Sequence, residues 1–155
     1  MRIAFRALGI AIAALVAVQA AVHAWAIAGL GIFVSNGGVL DPAVLQSETP
    51  PFPEVAGLMV HGMNGMFVIP AVALALLVVS FFVKVRGAVL AAAVTLGLVA
   101  LQVTLGILGH GASIFGLLHG LNALALATAA LYTQSLAGRG AVTRSADAEQ
   151  SRIHA

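Results

Sequence analysis

The segment LVAVQ at residues 15–19 recurs as LVALQ at residues 98–102, and HGMN at residues 61–64 recurs as HGLN at residues 119–122. The first pair is offset by 83 residues and the second by 58, and a longer loop after Asn36 absorbs the difference of 25. Each copy places a glutamine before a histidine, a glycine and an asparagine in the same order. The sequence therefore predicts a duplicated helical hairpin.

Composition indicates that these hairpins lie in a membrane. The chain is 61% hydrophobic and 8% charged, with a mean hydropathy of +1.09, whereas roughly a quarter of the residues in soluble domains are charged. A hydrocarbon core needs about 20 helical residues. Four apolar stretches are long enough, at about residues 7–34, 56–83, 87–109 and 113–136.

We therefore predict an all-α bundle of four transmembrane helices within residues 1–137, followed by a polar, disordered tail at residues 138–155. Repeat 1 covers about residues 7–83 and repeat 2 about residues 87–136. Short connections force neighbouring helices to run antiparallel, which gives up-down-up-down topology. The basic start and the first apolar run resemble a signal peptide, but the run continues to Val34, so we expect it to be retained.

The basic residues predict the orientation of the bundle. All of them fall at one end of the predicted spans, whereas the long loop after the first span carries only acidic charges. Lysine and arginine near span ends are kept in the cytoplasm, so we predict a plasma (inner) membrane protein with both termini cytoplasmic. The basic residues are Arg2, Arg6, Lys84, Arg86, Arg139, Arg144 and Arg152.

The repeated histidines are the strongest candidates for a cofactor site. His61 and His119 lie at about the same depth, roughly 8 Å inside the outer ends of spans two and four at 1.5 Å per residue. Those spans occupy opposite corners of an up-down bundle, about 13 to 14 Å apart if neighbours pack at 8 to 10 Å. Two imidazoles bound to one iron fill that gap and leave a plane for a porphyrin. We predict bis-histidine ligation of haem, with haem b as the expected form.

Polar and small residues around the two ligands complete the predicted site. Amides in spans one and three face the interior, and each asparagine lies one turn deeper than its histidine. These amides hydrogen-bond either to the cofactor edge or to one another, or they join helices without any ligand. Glycines directly after the histidines remove bulk beside the ring. The predicted cofactor contacts are His23, Gln19, Gln102, Asn64, Asn122, Gly62 and Gly120.

His23 breaks the repeat, because the equivalent position in the second copy is Gly106. It lies one turn outward of Gln19 on the same helical face. Three roles are open for it: contact with a haem propionate, proton relay, or replacement of a ligand. His110, at the outer turn, is expected to be interfacial.

The segments LQVTLG at residues 101–106 and HGLNA at residues 119–123, with the earlier His61, resemble one four-helix half of the haem A synthase family. The resemblance covers roughly residues 7–136 and rests on short motifs. It implies a haem-binding bundle with His61 and His119 as paired axial ligands. The chain departs from that family in having a single half, no loop cysteines, and its nearest acid, Glu54, seven residues before His61.

These observations leave several functions open. The favoured one is a non-enzymatic haem protein that serves electron transfer or haem handling, with a bilayer, a redox partner protein and an oligomer as expected partners. A haem A synthase-like oxidoreductase acting on a haem methyl group is the second. A cofactor-free accessory or assembly subunit is the third, and proton or metal-ion permeation the fourth. The absence of cysteine excludes disulfides and thiolate sites, and no basic, aromatic-rich patch supports nucleic-acid binding.

Overall fold

Helices make up the regular structure of this computed structural model, which describes residues 1–47 and 49–153. The α-helices are α1 (Arg2–Ser35), α2 (Pro42–Gln46), α3 (Ala56–Met63), α4 (Ile69–Ser80), α5 (Ala88–Leu108) and α6 (Ser113–Ile153). A 3₁₀ turn at Pro53–Val55 precedes α3. A π-helical turn at Asn64–Val68, called here the wide turn, joins α3 to α4.

Four helical segments are long and apolar enough to cross a membrane, which confirms the prediction of a membrane-embedded chain. They are span 1 (Arg2–Ser35), span 2 (Pro53–Ser80), span 3 (Ala88–Leu108) and span 4 (Ser113–Gly138). Large apolar side chains cover their outer faces: Ile3 is 85% exposed and Leu90 is 71% exposed. Such a surface is stable in lipid and not in water.

The spans pack in a closed ring. Span 1 contacts spans 2 and 4, and span 3 contacts the same two. Small residues allow close approach: a methyl group at Gly9 would lie 2.6 Å from Thr133 Oγ1 and 2.9 Å from the Ala130 carbonyl oxygen. Close backbone contact is how membrane helices associate. Spans 2 and 4, which carry the repeated histidines, therefore occupy diagonal corners.

The buried positions of spans 1 and 3 repeat with the same offset as the sequence. At an offset of 83 residues, each of four buried positions in span 1 corresponds to a buried position in span 3. The four pairs are Phe5 and Ala88, Gly9 and Ala92, Ile12 and Thr95, and Val16 and Val99. Both spans thus turn equivalent faces towards the interior.

Spans 2 and 4 show the same correspondence with one interruption. Buried Asn64 and Asn122 are 58 residues apart, but the buried residues that follow are 57 apart. These later pairs are Ile69 and Leu126, Ala73 and Ala130, Leu76 and Thr133, and Ser80 and Ala137. The wide turn lies where the offset changes, and a π-helical turn is the form that accommodates one additional residue inside a helix.

Pro70 explains the position of the wide turn. Proline has no amide proton, so it cannot donate to the carbonyl four residues earlier. The backbone amide of Ile69 instead bonds the carbonyl of Asn64, five residues before it. Proline within a helix is a usual cause of irregularity, and here the irregularity is a π-helical turn just before the proline.

The ends of two helices differ from the predicted ones. Span 2 begins at Pro53 and ends at Ser80, three residues earlier than predicted at both ends. Helix α6 continues to Ile153 through most of the segment predicted to be a disordered tail. That segment is rich in alanine and arginine, which have high helix propensity. Residues 154 and 155 of the predicted tail lie outside the described residues.

Candidate functional site

Span 3 and span 4 are joined by two reciprocal hydrogen bonds. The side-chain Nε2 of Gln102 donates to the backbone carbonyl of His119 at 3.0 Å. The Nδ1 of His119 lies 2.9 Å from the backbone carbonyl oxygen of Gln102. Each residue therefore bonds the backbone of the other with its side chain, which fixes both the spacing of the helices and the position of the imidazole.

The same pair of bonds joins span 1 to span 2. Gln19 Nε2 donates to the His61 carbonyl at 2.9 Å, and His61 Nδ1 lies 3.2 Å from the Gln19 carbonyl oxygen. We call each pair a glutamine–histidine clamp. Both clamps lie in helices that lipid surrounds, where a polar group that lacked a partner would cost several kcal/mol.

The asparagines extend each clamp one turn deeper. Asn122 Nδ2 donates to the Leu98 carbonyl at 2.9 Å and to Gln102 Oε1 at 2.6 Å. Asn64 Nδ2 donates to the Leu15 carbonyl at 3.4 Å. The amides predicted to line the interior therefore bond the backbone of the adjacent span, and in the second copy they also bond one another. These are the interhelical bonds that the sequence left open as an alternative to cofactor contacts.

Two imidazoles from opposite corners meet at the centre of this network. The ring centroids of His61 and His119 are 6.0 Å apart and their planes are inclined by 51°. A carbonyl oxygen only accepts hydrogen bonds, so each Nδ1 carries the proton in its bond to the glutamine carbonyl. In the neutral ring this leaves the Nε2 lone pair free, which is the arrangement of a metal-binding histidine held by a carbonyl.

His23 lies beside this pair. Its ring centroid is 4.9 Å from that of His61, with the planes inclined by 50°. The ring is exposed on the protein surface, whereas His61 and His119 are partly buried. The structure thus brings His23 to the site, on the side of His61.

Four glycines lie near the site, and they differ in how closely other side chains approach them. Apart from the adjacent residues and the nearby backbone of the same helix, a methyl group at Gly62 or Gly120 would meet no atom of the described residues within 4 Å. Packing therefore does not require a glycine at either position. Two other glycines lie close to side chains of the site. A methyl at Gly106 would lie 3.2 Å from His119 Cε1, and one at Gly65 would lie 2.6 Å from Gln19 Nε2.

Sequence reasoning missed the roles of Gly65 and Gly106 for different reasons. Gly106 is the counterpart of His23 in the second copy. Because His23 was predicted to contact the site, this correspondence could have indicated that Gly106 lies beside His119. Gly65 follows Asn64 without any signal in the repeat, because its counterpart is Ala123. Its role depends on the side-chain conformation of Gln19, which no sequence pattern specifies.

No group of three or more histidine, aspartate or glutamate side chains is arranged to hold a metal ion among the described residues. Two axial imidazoles are the protein ligand set of a haem iron, whose other four ligands come from the porphyrin.

Comparisons with known proteins return no match: no family model, curated protein or solved structure is similar to this chain.

The two asparagines give a direct test of the network. Asn122→Ala removes bonds at 2.6 and 2.9 Å, whereas Asn64→Ala removes one at 3.4 Å. Buried amide bonds between membrane helices contribute about 0.6 to 1.7 kcal/mol. We therefore expect Asn122→Ala to lower the free energy of unfolding by about 1 kcal/mol more than Asn64→Ala does. Unfolding in detergent, followed by circular dichroism, measures the difference. Equal losses would show that the two asparagines have equivalent roles.

Proposed function

We propose that this chain is an integral membrane protein that binds one haem, of the b type, between His61 and His119. The observation that carries the proposal is the 6.0 Å separation of the two ring centroids. A metal bound to an imidazole nitrogen at about 2 Å lies about 3 Å from the ring centre. Two imidazoles on one iron therefore have centroids about 6 Å apart.

The clamps support this proposal. In each, Nδ1 faces a backbone carbonyl at 2.9 or 3.2 Å, which leaves Nε2 as the coordinating atom. His61 and His119 would hold the iron, with Gln19 and Gln102 positioning them.

The proposed architecture is an up-down-up-down bundle of two duplicated hairpins. The matching buried positions of spans 1 and 3, and of spans 2 and 4, support duplication. A hydrogen bond from Arg2 to the Lys84 carbonyl at 3.2 Å supports antiparallel packing, since it joins the start of span 1 to the turn after span 2. With the basic turn cytoplasmic, the haem lies towards the opposite face of the plasma membrane.

Bound haem would supply one-electron chemistry, and the protein determines how that chemistry is used. The clamps keep both imidazoles in place, and the apolar spans exclude water from the ring. Burial and the bonds to Nδ1 set the reduction potential. Electron transfer to a partner protein, or haem handling, is the role that such a site performs.

A second candidate function is a cofactor-free accessory subunit, and a specific observation favours it. All four amides bond the backbone of a neighbouring span, so the polar residues also account for helix pairing without a ligand. In that case the two histidines would complete the clamps and bind nothing.

An absorption spectrum decides between these functions. The protein is expressed with haem available, purified in detergent, and measured before and after reduction, and haem is quantified as its pyridine complex. We expect a Soret band, sharp reduced bands typical of six-coordinate iron, and about one haem per chain. A folded, monodisperse protein that neither contains haem nor takes it up in titration would contradict haem binding and favour the accessory subunit.

A further inference from the structure

The two halves of the site are not equivalent, and the difference begins at the imidazoles. His119 Nδ1 lies 2.9 Å from its carbonyl partner, whereas His61 Nδ1 lies 3.2 Å from its own. Hydrogen bonds weaken as they lengthen towards the upper end of the normal range. The bond that positions the His61 imidazole is therefore the longer of the two.

The amides show the same asymmetry. Gln102 Oε1 accepts a bond from Asn122 at 2.6 Å, which closes the network behind His119. The equivalent atom, Gln19 Oε1, is buried and has no hydrogen-bond partner in the described residues. Asn64 bonds only weakly at 3.4 Å. The side-chain oxygen of Gln102 thus has a hydrogen-bond donor, whereas the side-chain oxygen of Gln19 has none in the described residues.

The backbone next to His61 is also less regular. The wide turn begins at Asn64, three residues after His61, and α6 contains no such turn at the corresponding position. Gly65 within the wide turn leaves the space that Gln19 Nε2 occupies. Interruptions of this kind inside helices occur frequently at functional sites.

A third imidazole lies on the weaker side only. His23 lies with its ring centroid 4.9 Å from that of His61. Its counterpart Gly106 has no side chain, and a methyl group there would lie 3.2 Å from the ring of His119. A second imidazole therefore lies beside His61, whereas a glycine without a side chain lies at the equivalent position beside His119.

From these differences we propose that His119 is the permanent axial ligand and that His61 is exchangeable, with His23 as its replacement. The inference rests on the proposed haem site. In the exchange, a ring nitrogen of His23 would take the place of His61 Nε2 on the iron, so one bond to the iron would form as the other is broken. Both imidazoles are neutral before and after, so the step needs no oxidant, reductant or proton. A haem protein with such a pair has two coordination states at one site.

The test uses asparagine substitutions in the full-length protein. Asparagine keeps an amide nitrogen near the position of Nδ1, and so preserves the bond to the glutamine carbonyl, but it removes Nε2. The variants are His61→Asn, His119→Asn and the double variant His23→Asn/His61→Asn. Haem content, the reduced absorption bands and the ferric electron paramagnetic resonance spectrum are measured, with circular dichroism to establish folding.

We expect His61→Asn to retain haem within about twofold of the wild type and to remain low-spin, with altered resonance positions. The double variant should lose low-spin haem at least tenfold, as should His119→Asn. If His61→Asn loses low-spin haem as completely as the double variant, the exchange is refuted. His61→Ala replaces His61→Asn if the latter does not fold, with the same criterion. Absence of haem from the wild type would instead refute the proposed function, so the two failures are distinct.

Discussion

His119→Asn is expected to purify as a folded four-span protein with haem content reduced at least tenfold. The asparagine amide keeps a donor towards the Gln102 carbonyl, which accepts from His119 Nδ1 at 2.9 Å in the wild type. What is lost is the free Nε2, and with it one of the two proposed metal ligands. Haem held by two axial histidines is retained through both bonds to the iron. With one of these bonds lost, we expect the haem to dissociate in detergent.

His110→Asn is the matched control for this variant. His110 lies at the turn between spans 3 and 4, is exposed, and bonds the nearby Ile107 carbonyl at 3.2 Å. We expect it to retain wild-type haem content and reduced bands. Equal haem content in His119→Asn and His110→Asn, measured as the pyridine complex, would remove His119 from the site.

Gly106→Leu is expected to abolish haem binding without removing any polar group. A Cβ atom at this position would lie 3.2 Å from His119 Cε1 and 3.3 Å from Nδ1, and leucine adds further carbon atoms to that Cβ. The imidazole must rotate away and lose its bond to Gln102, because crowding of a packed site costs about 1 to 3 kcal/mol. We expect at least a tenfold loss of haem.

Gly97→Leu provides the control on the same helix. Gly97 is exposed, and a methyl group there would meet no atom of the described residues within 4 Å. Both variants replace a helical glycine with leucine, so both gain a similar amount of helix propensity. A difference in haem content between Gly106→Leu and Gly97→Leu therefore reports the contact with His119. Haem content and helical content of the two variants, measured side by side, test this. Loss of haem from both would assign the effect to the substitution itself.

The membrane spans were predictable from the sequence because length and hydropathy alone determine which segments cross a bilayer. The pairing of His61 with His119 was also predictable, because a motif repeated at one depth on diagonal helices places two side chains at the same level. The roughly 13 to 14 Å estimated between diagonal helices left room for two imidazoles, and the rings lie 6.0 Å apart.

Other features of the site could not be read from residue patterns. The glutamine–histidine clamps depend on side chains bonding the backbone of another span, and backbone carbonyls carry no sequence signature. Gly62 and Gly120 follow the histidines in the repeat, yet the close contact to His119 comes from Gly106 on a different span. The position of a glycine in the sequence relative to a histidine does not reveal which helix contacts that histidine.

The wide turn in span 2 affects how this chain tolerates changes in length. Each α-helical residue rotates the side chains that follow by about 100°, so an insertion in an uninterrupted helix moves every later residue to another face. Here Asn64–Val68 takes up that rotation, and α4 still buries the same faces as the corresponding part of α6. The wide turn thus lets span 2 hold one residue more than the corresponding part of span 4 while the segments on both sides of the turn keep their inward faces.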